Sequence, residues 1–141
     1  MIVTLPKEYY KIRINKSEQA FRILLETLKT QDEIDQDKEH FIVIGLKRNN
    51  CIRFVDIVSV GILTGTIVHP REVFRRSILH ACNSIVVAHN HPSGNLQPST
   101  ADDAITRNIK EAGKIIDIQL TDHIIFSNEG HYSYADEGKL F

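Results

Sequence analysis

The segment "SIVVAHNHPSGNLQPSTADD", residues 84–103, constrains this chain more than any other. Ile85, Val86 and Val87 form an unbroken apolar run, the pattern of a short strand buried on both faces. That strand closes on His89 and His91, with Pro92 and Gly94 immediately after. Imidazoles at the mouth of a buried strand are costly to desolvate unless something binds them. Side chains at i and i+2 of an extended segment point the same way, about 6.5–7 Å apart. His89 and His91 can therefore converge on one ion.

Asp102 follows in "STADD", where Ser99 and Asp102 have the S-x-x-D spacing of a helix start. The carboxylate then lies in the first turn of a helix, and the intervening Pro/Gly loop can fold it back toward the histidines. Two imidazoles and one carboxylate leave a fourth tetrahedral position open, the arrangement of a catalytic zinc site. Ser99 can aim its hydroxyl into the same space. Asp102 also has a purely local explanation, as the acidic partner of a capping box whose N-cap is Ser99. The two roles compete for one carboxylate.

Around this segment the pattern alternates between helix and strand. Asn15 and Glu18 have capping-box spacing, and Phe21, Leu24, Leu25 and Leu28 give the apolar stripe of a helix over residues 16–30. Residues 40–47 and 51–60 read as strands joined by a tight "RNN" turn, and residues 62–68 as a third, weakened by Gly65. Pro70 suits the first position of a helix whose apolar face is Val73, Phe74, Ile78 and Leu79. After strand 84–89, Ala101, Ile105, Asn108, Ile109 and Ala112 line one side of a helix that should stop near Gly113. Residues 115–120 and 123–127 follow as strands, and "NEG" turns into a last strand at 131–134. The expected class is a mixed α/β (α+β) domain, one mainly antiparallel sheet flanked by helices.

With 141 residues, 42% of them hydrophobic, the chain has a core for one domain and buries about 68% of its unfolded surface. The formal net charge of −1 gives no positive field for nucleic acid or anionic membrane. The apolar runs are too short to span a membrane, and the first residues lack the apolar segment of a signal peptide. Cys51 and Cys82 are too few for a disulfide framework, so a cytoplasmic location is expected. Cys82 reads as core, and Cys51, beside a turn, has no evident partner.

The run His89-Asn90-His91-Pro92, then six residues, Ser99, two residues and Asp102 resembles the H-x-H-P-x6-S-x2-D signature of the JAMM (JAB1/MPN+) metallopeptidases. With "HPREVFRRSI" before it and "TDHIIF" after it, the segment is similar to the RadC-like branch of that superfamily, over roughly residues 37–141. The resemblance implies a JAB1/MPN, cytidine deaminase-like fold over 37–141, with residues 1–36 as a helical extension packed on it in a single folding unit. It implies one zinc per chain on His89, His91 and Asp102, and hydrolysis of a peptide or isopeptide bond by zinc-activated water. It also asks for a glutamate near the start of the first sheet strand, and "DKEHFIVIGL" offers Glu39 as the proton carrier. Ser99 would then hydrogen-bond the oxyanion.

Other residues compete for attention. Glu72 lies in "HPREVF", but as the third residue of a helix begun by Pro70 it is accounted for by the helix dipole. Arg71 and Arg75 read as a solvated helix face. Asp122 and His123 can be a pair orienting a ligand, or the end of a strand with His123 packed on the sheet. Contiguous "HNH" argues against an HNH nuclease, whose residues are spread over a ββα segment. Only about 36 residues precede the matching segment, and no helix-hairpin-helix pattern is found there, so DNA binding should be weak, about 10⁻⁶–10⁻⁴ M at physiological salt. The expected partner is a peptide or protein substrate. The rival reading is a DNA-repair-associated binding module that keeps the metal as a structural staple.

Overall fold

The computed structural model describes residues 1–61 and 68–140, so most of the strand expected at 62–68 lies outside the described residues. The strands are β1 (Ile2–Val3), β2 (His40–Leu46), β3 (Ile52–Val60), β4 (Ser84–Asn90), β5 (Gln119–Ser127) and β6 (Gly130–Ser133). The helices are α1 (Ser17–Lys29), α2 (Pro70–Leu79) and α3 (Thr100–Ile116). One sheet has the order β1-β3-β2-β4-β5-β6. The β4–β5 pair is parallel and the other neighbouring pairs are antiparallel. This is the mixed, mainly antiparallel α/β class that the sequence pattern predicts.

Both faces of the sheet are covered. Ile42, Ile44, Val86, Ala88, Ile124 and Phe126 pack under Ala20, Ile23, Leu24 and Leu28 of α1. On the opposite face Phe41, Val43, Ile85 and Val87 pack under Val73 and Phe74 of α2 and Ile105 and Ile109 of α3. Burial on two faces is why β4 reads as a continuous apolar run rather than an alternating one. Parallel neighbours need a crossover, and α3 supplies it between β4 and β5. The end of β4 and the start of α3 therefore share one edge of the sheet.

Several local expectations shift. The first helix is capped one residue later than expected. Gln19 Oε1 accepts from the backbone N–H of Asn15 at 2.7 Å and of Lys16 at 2.9 Å, while Asn15 Oδ1 accepts from Asn50 Nδ2 at 3.0 Å. On α2, Val73 and Phe74 are buried but Ile78 and Leu79 are exposed, and Ser77 takes the inner position instead. On α3 Ala101 and Asn108 are exposed, and the buried stripe includes Asp102 and Thr106 beside Ile105 and Ile109.

Helix α3 also runs past Gly113, because Asp117 itself adopts the left-handed cap with φ 59°. Gly113 has a packing role: a Cβ there would lie 2.4 Å from the carbonyl oxygen of Ile118. Residues 115 and 116 are thus helical, and β5 is one strand from Gln119 to Ser127. The two-residue β1, which pairs with β3 at an edge, has no counterpart in the sequence pattern.

Candidate metal centre

His89 occupies the penultimate position of β4, and His91 follows the strand, its backbone N–H bonded to Phe126 O at 2.8 Å. Asp102 is the third residue of α3. Its backbone N–H donates to Ser99 Oγ at 3.1 Å, and Ser99 N–H donates to Asp102 Oδ2 at 2.8 Å. The capping box is therefore formed. It does not exclude the other role, because the two carboxylate oxygens divide the work. Oδ1 lies 3.1 Å from His89 Nε2, and Oδ2 lies 3.7 Å from His91 Nε2. One nitrogen from each histidine and one Asp102 oxygen all lie within 4.8 Å of one another, a group that could hold a metal ion.

The hydrogen bonds behind these rings decide which nitrogens carry protons. Thr106 Oγ1 donates its one hydrogen to Asp102 O at 2.8 Å. It must then accept from His123 Nδ1, 2.5 Å away. His123 is fully buried, and burial, reinforced by the nearby charge of His89, holds its pKa well below the usual value, so the ring is neutral. Neutral His123 protonated at Nδ1 has a bare Nε2, which accepts from His89 Nδ1 at 2.9 Å. His91 Nδ1 is 2.6 Å from Asn95 O, a carbonyl that can only accept.

Protonated at Nδ1, each ring can turn an Nε2 lone pair inward to a metal ion, and these two atoms are 2.8 Å apart. Two lone pairs and a carboxylate repel one another unless a proton or a metal cation sits among them. Burial works to raise the Asp102 carboxyl, but the His89 bond and charge and the Ser99 N–H overcome it and hold it below the usual carboxylate range. The donor set suits a borderline ion such as zinc better than calcium or magnesium, which favour oxygen. Tetrahedral coordination at 2.0–2.1 Å sets two nitrogens about 3.3 Å apart, so the rings need part by only about 0.5 Å.

The remaining expected residues are placed as follows. Ser99 is exposed at the head of α3. Glu39 is half-buried, directly ahead of β2, and its carbonyl accepts from Gly61 N–H at 2.8 Å. Glu39 comes two residues before Phe41, which is paired with His89 across β2 and β4. Glu72 is exposed in the first turn of α2, and Arg71 and Arg75 are exposed on that helix too.

Asp122 and His123 lie inside β5 rather than at its end, and they serve opposite faces. Asp122 accepts from Ser133 Oγ and from the N–H groups of His123 and Ala135. His123 holds His89, so the pair does not simply terminate a strand. Thr106 and Asn90 were not signalled by the sequence at all. Asn90 Oδ1 accepts from His40 N–H at 2.6 Å, and its Nδ2 donates to Lys38 O at 2.9 Å.

Residues 14–139 match the family described as the RadC-like JAB domain. This chain belongs to that family. The JAB domain is 39% identical over 132 residues to a UPF0758 protein of Pelodictyon phaeoclathratiforme, covering 94% of this chain and 59% of the relative. It is 39% identical over 134 residues to a UPF0758 protein of Clostridium acetobutylicum, covering 95% and 56%. A UPF0758 protein of Staphylococcus haemolyticus shares 36% over 128 residues, covering 91% and 54%. The chain thus spans somewhat more than half the length of these relatives. Their names state no activity. Among the described residues, no helix is long and apolar enough to cross a membrane.

Proposed function

We propose that this JAB domain is a zinc-dependent hydrolase that cleaves a peptide or isopeptide bond. The observation that carries the reading is the pair of inward-facing Nε2 atoms beside the Asp102 carboxylate, a donor set that leaves one tetrahedral position over. His89, His91 and Asp102 would hold the ion. When bound, zinc supplies a Lewis acid and brings the pKa of its water toward about 7.

Glu39 takes a proton from the attacking water and delivers it to the leaving amine. Ser99 Oγ accepts from Asp102 N–H, which leaves its own hydrogen to donate to the carbonyl oxygen as negative charge develops there. His123 and Thr106 keep His89 in the tautomer that faces the ion. A protein or peptide is the proposed partner, and weak DNA binding is expected from the charge. The two cysteines, free and buried, fit a reducing cytoplasm.

The test is hydrolysis of a diverse peptide and isopeptide library by the zinc-loaded protein, beside Glu39→Gln. Cleavage that disappears in Glu39→Gln while zinc is retained supports the enzyme. No cleavage, together with salt-sensitive DNA binding tighter than about 10⁻⁶ M, would establish the binding module instead.

A further inference from the structure

The middle residue of His89-Asn90-His91 occupies the position that the metal signature leaves blank. Its side chain points away from the histidines and is buried, 2% exposed. Both ends are engaged by the backbone on either side of Glu39: the amide oxygen accepts from His40 N–H at 2.6 Å, and the amide nitrogen donates to Lys38 O at 2.9 Å. Register alone does not give this link, since the β2–β4 ladder begins at Phe41 and His89. The Asn90 side chain therefore ties the backbone on both sides of Glu39 to the strand that carries His89.

We infer that Asn90 is a positioning residue that fixes Glu39 relative to the ion held by His89 and His91. The inference rests on the proposed role of Glu39. An amide is required because the clamp needs an acceptor and a donor about one carboxamide apart. Aspartate of the same shape keeps the acceptor for His40 N–H but places a second acceptor against the Lys38 carbonyl. Serine is too short to span both. A general base misplaced by about 1 Å loses roughly a hundredfold in rate without any loss of binding. Asn90 thus gives the strand that carries the ligands control over the residue that carries the proton.

The experiment compares wild type, Asn90→Ser, Asn90→Asp, Glu39→Gln and the Asn90→Ser/Glu39→Gln double variant. Zinc content, His40 amide hydrogen exchange, and kcat and KM on a peptide cleaved by wild type are measured on each. Using two substitutions guards against one that fails to fold. The expected result is unchanged zinc stoichiometry, faster His40 exchange, kcat lower by roughly 10–100-fold with KM unchanged, and no further loss in the double variant. Wild-type kcat in both Asn90 variants, or a loss that adds in full to that of Glu39→Gln, overturns the inference. Full activity in Glu39→Gln instead overturns the role of Glu39, and the inference with it.

Discussion

Helices α1 and α3 begin in the same way and serve different ends. At the head of α1, the neutral carboxamide of Gln19 reaches back to two backbone N–H groups, and both bonds are local. At the head of α3, the carboxylate of Asp102 makes the equivalent bond with one oxygen and turns the other to His89. Capping needs an acceptor, whereas holding a cation needs a charge. The same backbone device becomes part of a candidate metal centre once the acceptor is charged and the helix starts at the edge where β4 ends.

Asp102→Asn breaks the comparison most severely. An asparagine oxygen can still cap, so stability should change by less than about 1 kcal/mol. Zinc affinity should fall by at least about a hundredfold, since a charged ligand is lost. Calorimetric zinc titration and denaturant melts of the metal-free protein measure the two separately. An equal fall in both would mean that the cap and the site are not separable.

Thr106→Val tests the support behind the site. The variant leaves the buried His123 Nδ1–H without an acceptor, costing about 1–3 kcal/mol. It also loosens the tautomer of His89, so zinc affinity should drop about 10–100-fold. Titration calorimetry that gives wild-type affinity would remove the His123–Thr106 pair from the account.

The metal-free protein should respond to pH through His123, beside α3, whereas the Gln19 amide that caps α1 does not titrate. The pKa of folded His123 is held well below its unfolded value near 6.5, so the unfolded chain binds the additional proton first. Stability is therefore lost as pH falls below about 6.5, with a slope from His123 approaching 1.4 kcal/mol per pH unit, about the linkage limit for one proton. Asp102, held low, adds stability above the ordinary carboxylate value of about 3.9 that is lost as pH falls further. Urea melts between pH 7 and 5 should show the first slope, and it should shrink in His123→Gln.

Gln19→Ala is the smallest effect. It removes a local cap only, so the expected cost is about 1 kcal/mol or less, with zinc binding unchanged. A change in zinc affinity would show that the two helix starts are coupled.

What the sequence made legible follows the same division. His89, His91 and Asp102 lie on one strand end and one helix turn, where period and spacing are local quantities, and the structure brings these three together. His123, Thr106 and Asn90 act through contacts between elements distant in the chain, and nothing local distinguishes a histidine that packs from one that holds another histidine. The cap of α1 is not legible locally, because Asn15 and Glu18 offer the same polar types as the residues beside them. The contact that decides it, Asn50 on Asn15, comes from a distant turn. The extent of α3 is not legible either, because Gly113 is explained by its close approach to Ile118 rather than by a helix end.

The central claim, that two bare Nε2 atoms and one carboxylate face a single ion, is tested most directly by zinc analysis of wild type against His91→Ala, with nitrogen-15 spectra of the imidazoles. The account predicts one zinc per chain in wild type, coordination shifts at Nε2 of His89 and His91, a retained proton at His89 Nδ1, and loss of zinc in the variant. Equal zinc in the two proteins, or a metal-free wild type at saturating zinc, would contradict it.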